Sequence, residues 1–227
     1  MAKIRSRSKT LIKEKNRVFS VTFTVFMFSL LLVCFYMFVF DDIGVLGKIS
    51  GLILIVFAFY NTYKLYQKYK IVKAGIDGEK EVKQILKQLK DITIYSNVPI
   101  TYNQNKSEID YLCISEKGLF IVEVKNYSGN IKGKYDDVKW KQYKTQETKE
   151  VKNPVKQLTH QMQILNSILK ENNIDTYIEG CVFFNKAKSI ECKDKKIITD
   201  SKELLNRINN QKQSLSKKAL MKIMKAI

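Results

Sequence analysis

Apolar residues are concentrated in two long runs near the start of the chain. Residues 18–40 contain no charged side chain, and residues 43–63 contain only Lys48. About 20 consecutive apolar residues are enough for a helix to cross the hydrocarbon core of a bilayer, and Lys48 lies near one end, where its ammonium can reach the interface. The pattern predicts two transmembrane helices, 18–40 and 43–63, joined by a short acidic turn at Asp41 and Asp42.

Basic residues flank this predicted helical hairpin at both of its ends. Lys and Arg are frequent in residues 1–17 and again in residues 64–74, and the cytoplasmic flanks of membrane helices carry an excess of these residues. We therefore predict a multi-pass protein of the cell membrane with a basic cytoplasmic N-terminus at 1–17, a juxtamembrane linker helix at 64–74 and a soluble domain in the cytoplasm. Tyrosines recur every third residue at the end of the second run: Tyr60, Tyr63, Tyr66 and Tyr69. This spacing is typical of an interfacial aromatic belt, and base stacking is the alternative.

Beyond residue 74 the apolar spacing becomes that of short helices and strands. Gly75 and Gly78 predict the end of the juxtamembrane helix, and the apolar residues that follow predict a further helix with Glu79 on its buried side. A strand interrupted near Pro99 is predicted over 92–102. The other predicted elements are a hairpin at 107–125, strands around 138–140, 177–184 and 196–199, a loop at 144–152, and helices beginning at Pro154, at 202–209 and at 214–227. The last helix is basic and amphipathic, which fits either a membrane surface or packing against the domain.

The hairpin at 107–125 carries the first chemical signal. If Ile114 faces Leu119 across a turn at 115–118, then Asp110 faces Glu123 on the same side of the sheet. Two carboxylates in opposed positions repel each other, and a divalent cation with a nearby ammonium, such as that of Lys125, would compensate for this. The alternative is that both carboxylates are ordinary edge residues and that Lys125 pairs with Glu108.

Composition narrows the classes of partner and of site. The formal net charge is +18, from 40 Lys and Arg against 22 Asp and Glu, which indicates nucleic acid, anionic lipid or both, unless the lysines only solvate the surface. The four cysteines lack metal-ligand spacing and the chain has one His, which argues against a zinc site and for reduced thiols.

Several short motifs occur in an order that resembles a known family. They are Gly78-Glu79, Glu108-Ile109-Asp110-Tyr111, the segment from Gly118 through Glu123-Val124-Lys125-Asn126, then Ser128-Gly129 and Trp140. Together they resemble the nuclease-related domain (NERD), a family similar to the restriction-endonuclease-like PD-(D/E)xK superfamily. Two positions depart from the wider pattern: Ile109 stands where the superfamily has its nominal Pro, and Gln161 stands where some helicase-associated nucleases carry Tyr.

The resemblance implies a fold, a site and an activity. The fold class is α/β, with the two-helix transmembrane hairpin followed by a mixed central sheet flanked by helices. The nuclease-related domain is expected at 75–200, followed by a C-terminal helical segment at 201–227. Asp110, Glu123 and Glu79 would hold Mg²⁺, with Mn²⁺ as an alternative ion, and Lys125 and Gln157 would complete the catalytic set. Such a metal activates water and neutralises a phosphate.

The expected function is hydrolysis of DNA phosphodiester bonds at the cytoplasmic face of the membrane, although the sequence does not distinguish DNA from RNA. The alternative is a non-catalytic module, tethered to the membrane, that binds nucleic acid or a protein. The sequence names no protein partner.

Overall fold

The computed structural model describes residues 2–145 and 147–226, which divide into two compact units. The helical unit is Thr10–Ile76, and the sheet unit combines Met1–Lys9 with Asp77–Ile227. The predicted fold class is confirmed, because two long apolar helices precede a mixed α/β domain.

The helical unit consists of α1 (Thr10–Val39) and the first part of α2 (Val45–Leu86). Both helices are long and apolar enough to cross a membrane, and many of their large apolar side chains are exposed. The helices touch through polar and small residues: the Ser29 and Thr62 hydroxyls are 3.3 Å apart, and Tyr36 donates to the Lys48 carbonyl over 2.9 Å. Gly51 lies against the Tyr36 ring, where a side chain would clash. Small residues at such contacts let apolar helices approach closely.

The predicted helix end at Gly75 and Gly78 is wrong, because α2 runs through both glycines to Leu86. A glycine inside a helix costs only about 0.5–1 kcal/mol relative to alanine, so the surrounding apolar pattern overrides it. The two glycines differ in their surroundings. Nothing lies within 4 Å of where a Gly75 side chain would be, whereas a Cβ at Gly78 would lie 2.6 Å from the Cβ of Asn126. Gly78 thus permits the close approach of Asn126, which follows Lys125 in the chain.

Alanine at these two positions should have opposite effects on stability. We expect Gly75→Ala to stabilise the chain by up to about 1 kcal/mol and Gly78→Ala to destabilise it by about 1–3 kcal/mol, since the added methyl overpacks a closed contact. Thermal unfolding of the two variants side by side measures the difference. A Gly78→Ala protein as stable as Gly75→Ala would contradict the close approach.

The sheet unit is built on a six-stranded mixed sheet. Its strand order is β1 (Lys3–Ser6), β2 (Thr93–Tyr102), β3 (Asn105–Ser115), β4 (Gly118–Lys125), β8 (Ile178–Phe184) and β10 (Ile197–Ile198). Strands β2, β3 and β4 are antiparallel neighbours, and the pairs β1–β2, β4–β8 and β8–β10 are parallel. The position of β1 shows that the residues before α1 belong to the same sheet as the domain after α2.

Helices cover both faces of this sheet. Helix α3 (Pro154–Glu171) packs on one face, where Leu158 and Leu165 meet Leu112 and Ile121. Asn153 caps α3 by accepting from the Val155 and Lys156 amides, so the predicted start at Pro154 is confirmed. The end of α2 and helix α4 (Ser201–Asn209) cover the opposite face. Helix α5 (Lys217–Ala226) belongs to the α3 side, because Ile223 is fully buried there, which favours the packed alternative for this amphipathic helix.

A second sheet has four strands in the spatial order β7-β6-β5-β9. Its strands are β5 (Gly129–Lys132), β6 (Lys139–Tyr143), β7 (Thr148–Lys152) and β9 (Ala187–Glu191). The predicted loop at 144–152 is therefore wrong in its second half, and β9 was not predicted. β7 and β9 are the edge strands of this sheet and expose much of their surface. Their sequences therefore lack the alternation of apolar residues that marks a half-buried strand.

Candidate active site

The hairpin of β3 and β4 has the predicted register. Leu112 pairs with Ile121 and Ile114 with Leu119. The backbone pairing of β3 with β4 ends at Tyr111 and Val122. The prediction placed Asp110 opposite Glu123, but the backbones of these two residues are not paired. At this point the Asp110 carboxylate accepts a hydrogen bond from the Val124 amide over 2.7 Å. The side chain of Asp110 thus takes the place of a strand partner where the two strands separate.

Glu123 is the most buried charged group of the site, with 1% of its surface exposed. Its two oxygens have different donors: Lys125 Nζ donates to Oε1 over 2.6 Å, and Gln161 Nε2 donates to Oε2 over 2.7 Å. Lys125 also donates to Gln157 Oε1 over 3.0 Å. The alternative pairing of Lys125 with Glu108 is therefore wrong, and Lys125 lies between a carboxylate of β4 and an amide of α3.

Glu79 reaches the same region from α2. Its carboxylate accepts from Asn97 Nδ2 over 3.0 Å, and its backbone carbonyl accepts from the Tyr111 hydroxyl over 2.7 Å. The interruption of β2 lies at Asn97, not near Pro99: Asn97 has φ 52° and is skipped in the pairing with β3. Asn adopts this left-handed conformation more readily than most residues, and here it turns a strand position into a donor for Glu79.

Burial and neighbouring negative charge raise the pKa values of Asp110 and Glu79. Burial raises the pKa of Asp110 well above its usual value, the charge of Glu123 raises it further, and Lys125 and the Val124 amide oppose the shift. Burial also raises the pKa of Glu79, the Asn97 hydrogen bond lowers it, and Glu108 and Glu123 raise it. Burial alone would lower the pKa of Lys125, but Glu123, Tyr127 and Asp110 raise it above its usual value. The site therefore has an excess of negative charge that Lys125 only partly balances.

Of the five predicted residues, hydrogen bonds join Lys125 to Glu123 and to Gln157. Glu79 and Asp110 bond instead to Asn97 and to the Val124 amide. The sequence interpretation missed Asn97 and Gln161. Gln161 is fully buried and also donates to the Glu108 carbonyl over 2.8 Å, so it joins β3 to the Glu123 side chain. Among the described residues its Oε1 has no hydrogen-bond partner. The sequence feature that could have identified Gln161 is its position one helical turn after Gln157.

Removing the Gln161 amide should weaken both the fold and the metal site. We expect Gln161→Met to lose about 1.5–3 kcal/mol of stability, the usual contribution of a hydrogen bond to a charged group, and about 10- to 100-fold in metal affinity, as for other residues that orient metal ligands. Gln142→Met is the matched control, because Gln142 is also buried and donates to the Ser128 carbonyl in the second sheet. Equal metal affinity in the two variants, measured by calorimetry, would show that Gln161 only supports packing.

The donor set suits a hard divalent cation. Mg²⁺ and Mn²⁺ prefer oxygen ligands, and Mg²⁺ keeps several waters, so it needs few protein groups. Asp110, Glu123 and Glu79 supply carboxylates whose mutual repulsion a cation would relieve. As arranged, no three His, Cys, Asp or Glu side chains of residues 2–145 and 147–226 lie close enough together to hold an ion. Both oxygens of Glu123 already accept hydrogen bonds, from Lys125 and from Gln161, so the three-carboxylate metal site stays a prediction.

Comparisons with known proteins bear on this region. The family model of the nuclease-related domain matches residues 74–185. This range includes the five predicted site residues and also Asn97 and Gln161. An uncharacterized protein of Bacillus anthracis is 39% identical over 71 residues, which cover 30% of this chain and 34% of that relative. The match thus spans about a third of the relative's length. No solved structure matches the chain significantly.

Proposed function

We propose that the chain is a membrane-anchored nuclease that hydrolyses DNA phosphodiester bonds with Mg²⁺, on the premise that residues 74–185 match the family model of the nuclease-related domain. One observation carries the proposal: beside the buried pair of Glu123 and Lys125, burial and neighbouring negative charge raise the pKa values of two further carboxylates, Asp110 and Glu79. Crowded, perturbed ionisable groups are characteristic of catalytic sites.

Each of the five predicted site residues, and also Asn97 and Gln161, has a role in the proposed reaction. Asp110, Glu123 and Glu79 would hold the metal, which when bound supplies an activated water and neutralises the scissile phosphate. The Lys125 ammonium would donate to the attacking water or to the phosphate oxygen on which negative charge develops. Gln157 holds the Lys125 ammonium, while Gln161 and Asn97 hold the carboxylates of Glu123 and Glu79. Preorganised donors of this kind need no reorganisation during the reaction.

The proposed substrate and location rest on charge and on topology. The net charge of +18 favours a polyanion, and DNA is the substrate that we propose for it. The long apolar helices α1 and α2 support a membrane anchor. Strand β1 precedes α1 and belongs to the same compact unit as the domain that follows α2, which supports a hairpin that returns the chain to the side from which it started. The basic flanks favour the cytoplasm as that side.

The test is a cleavage assay on the full-length chain in detergent, because residues 2–9 are part of the sheet unit. The wild type and Asp110→Ala are incubated with linear, circular and single-stranded DNA and with RNA, in Mg²⁺, Mn²⁺ or chelator. We expect metal-dependent cleavage of DNA by the wild type and none by the variant. Cleavage that persists in Asp110→Ala would show that the site is misassigned, and cleavage of RNA alone would correct the substrate.

A second candidate function is non-catalytic binding of nucleic acid at the membrane. It is favoured by the arrangement of Glu123, whose charge Lys125 already balances over 2.6 Å, and by the separation of the carboxylates among the described residues. This function predicts binding that weakens steeply with salt, since phosphate contacts release counterions, and no turnover with any divalent metal in the same assay.

A further inference from the structure

A groove of about 580 Å³ lies between α1 and α2 within the helical unit. Its polar lining comes from the start of α1 and from α2: Lys13, Glu14, Arg17 and Lys68. Its apolar lining consists of Val18, Val21 and Leu65. The groove therefore has a charged part and an apolar part, formed by the same two helices.

The charged part of the groove is cationic and available for a ligand. Lys13, Arg17 and Lys68 are all exposed, and within the described chain none of them forms an ion pair with a carboxylate. Lys64 and Lys70 differ from them, because their ammonium groups lie over the rings of Tyr60 and Tyr66. Three free cations converge on one groove that contains a single carboxylate, Glu14.

The boundary between the two parts coincides with the edge of the apolar run. The run begins at Val18, directly after Arg17, and four tyrosines between Tyr60 and Tyr69 lie around the corresponding end of the second run. Aromatic residues of this kind mark the level of the lipid headgroups. If α1 and α2 span the membrane as proposed above, the cations lie at headgroup level and the groove continues at Val18 and Val21 to the level of the acyl chains.

We propose that this groove binds an anionic phospholipid, an inference that rests on the membrane anchor of the proposed function. The phosphodiester lies among Lys13, Arg17 and Lys68, and an acyl chain follows Val18, Val21 and Leu65. Basic pockets between membrane helices on the cytoplasmic side recognise lipid headgroups in this way.

Glu14 narrows the choice of headgroup. Its carboxylate repels a second negative charge but accepts a hydrogen bond from a hydroxyl. The groove therefore selects a singly charged headgroup that carries hydroxyl groups, as phosphatidylglycerol does, over a headgroup that carries an additional carboxylate.

The test measures which lipids remain bound to the purified protein. The full-length chain is reconstituted in nanodiscs of phosphatidylcholine with a minor fraction of phosphatidylglycerol, extracted in mild detergent and analysed by native mass spectrometry. Phosphatidylserine in place of phosphatidylglycerol tests the headgroup. The groove variant is Lys13→Gln/Arg17→Gln/Lys68→Gln, and the control is Lys15→Gln/Lys64→Gln/Lys73→Gln, which removes the same charge from the same two helices outside the groove lining.

We expect the wild type to retain phosphatidylglycerol in preference to phosphatidylcholine and phosphatidylserine. The groove variant should retain at least about 10-fold less, since each cation beside the headgroup contributes about 1 kcal/mol. The control should stay within about twofold of the wild type, because its cations lie outside the groove lining. Excess glycerol phosphate should not displace the lipid, because it lacks the acyl chain. An equal loss in both variants, or no preference in the wild type, would overturn the proposal.

Carbonate extraction of membranes separates this failure from failure of the anchor. If the wild type resists extraction but binds no lipid selectively, the lipid-binding proposal alone is wrong. If carbonate extracts the wild type, the proposed membrane anchor and the proposed lipid site are both wrong. The cleavage assay in detergent is independent of either result.

Discussion

Replacement of Glu123 by glutamine should abolish metal-dependent DNA cleavage. Glu123→Gln keeps the volume of the side chain and removes the charge that would bind the metal. Residues that only support metal ligands typically cost 10- to 100-fold when changed, so we expect a loss of more than about 100-fold for a ligand itself. Cleavage rates at saturating Mg²⁺, with the wild type assayed alongside, measure this loss.

The same substitution should destabilise the sheet unit through Lys125. The Lys125 side chain is 14% exposed and its ammonium is 2.6 Å from Glu123, and the loss of one member of a buried pair costs about 3–5 kcal/mol. Because the pKa of Lys125 is raised in the folded protein, the pair stabilises the fold at every pH below the unfolded value of about 10.4 and loses this contribution as the pH rises through the folded value. At neutral pH the full cost should therefore appear.

A double variant separates catalysis from stability. Glu123→Gln/Lys125→Met removes both charges, so we expect it to be less destabilised than the sum of the single variants, yet equally inactive. Thermal unfolding and cleavage are measured on the same preparations. Additive destabilisation would show that the two side chains are not coupled, and cleavage by the double variant would remove both residues from the proposed site.

Replacement of Asp110 by asparagine should have the opposite effect on stability. Asparagine can still accept from the Val124 amide but carries no charge. It therefore removes the cost of burying a charge and the repulsion by Glu123, the two effects that most raise the pKa of Asp110. We expect the melting temperature of the metal-free protein to rise by at least about 2 °C, the shift that 1 kcal/mol produces in a chain of this size. Mg²⁺ should raise the melting temperature of the wild type and leave that of Asp110→Asn unchanged.

The sign of the pH dependence follows from the raised pKa of Asp110. The folded state binds the proton more tightly than the unfolded state, so this group stabilises the metal-free fold below its unfolded pKa of about 3.9, and the contribution is lost as the pH rises through the folded value. The stability advantage of Asp110→Asn over the wild type should therefore grow with pH in the acidic range and then level off. An advantage that does not change with pH would show that Asp110 is not charged in the folded protein.

Local patterns were sufficient to predict the framework of the site. The alternation in residues 107–125 determines the register of β3 and β4, because a slip by one residue would expose the buried face. The cap at Asn153 and the apolar stripe that follows determine where α3 begins and which side faces the sheet. Hydrogen bonds therefore join Lys125 to Glu123 and Gln157, whereas Asp110 and Glu79 bond to other groups.

The missed features depend on contacts between distant segments. Asn97 donates to Glu79 only because β2 is interrupted where it passes Asp110, and neither strand shows that pairing by itself. Gln161 was read as a departure from a family pattern, yet its burial against Glu108 and Glu123 becomes visible only when α3 is packed on the sheet. Strand β1 was hidden in a basic terminus, since four residues at a sheet edge carry little apolar signal.

Every step proposed for this site depends on a divalent metal at Glu79, Asp110 and Glu123. The most direct test is a titration of the full-length protein with Mn²⁺, with free Mn²⁺ followed by electron paramagnetic resonance, for the wild type and for Asp110→Asn. We predict saturable binding to the wild type that is competed by Mg²⁺ and is lost in the variant. No saturable binding to the wild type, or equal binding to both proteins, would contradict the metal site.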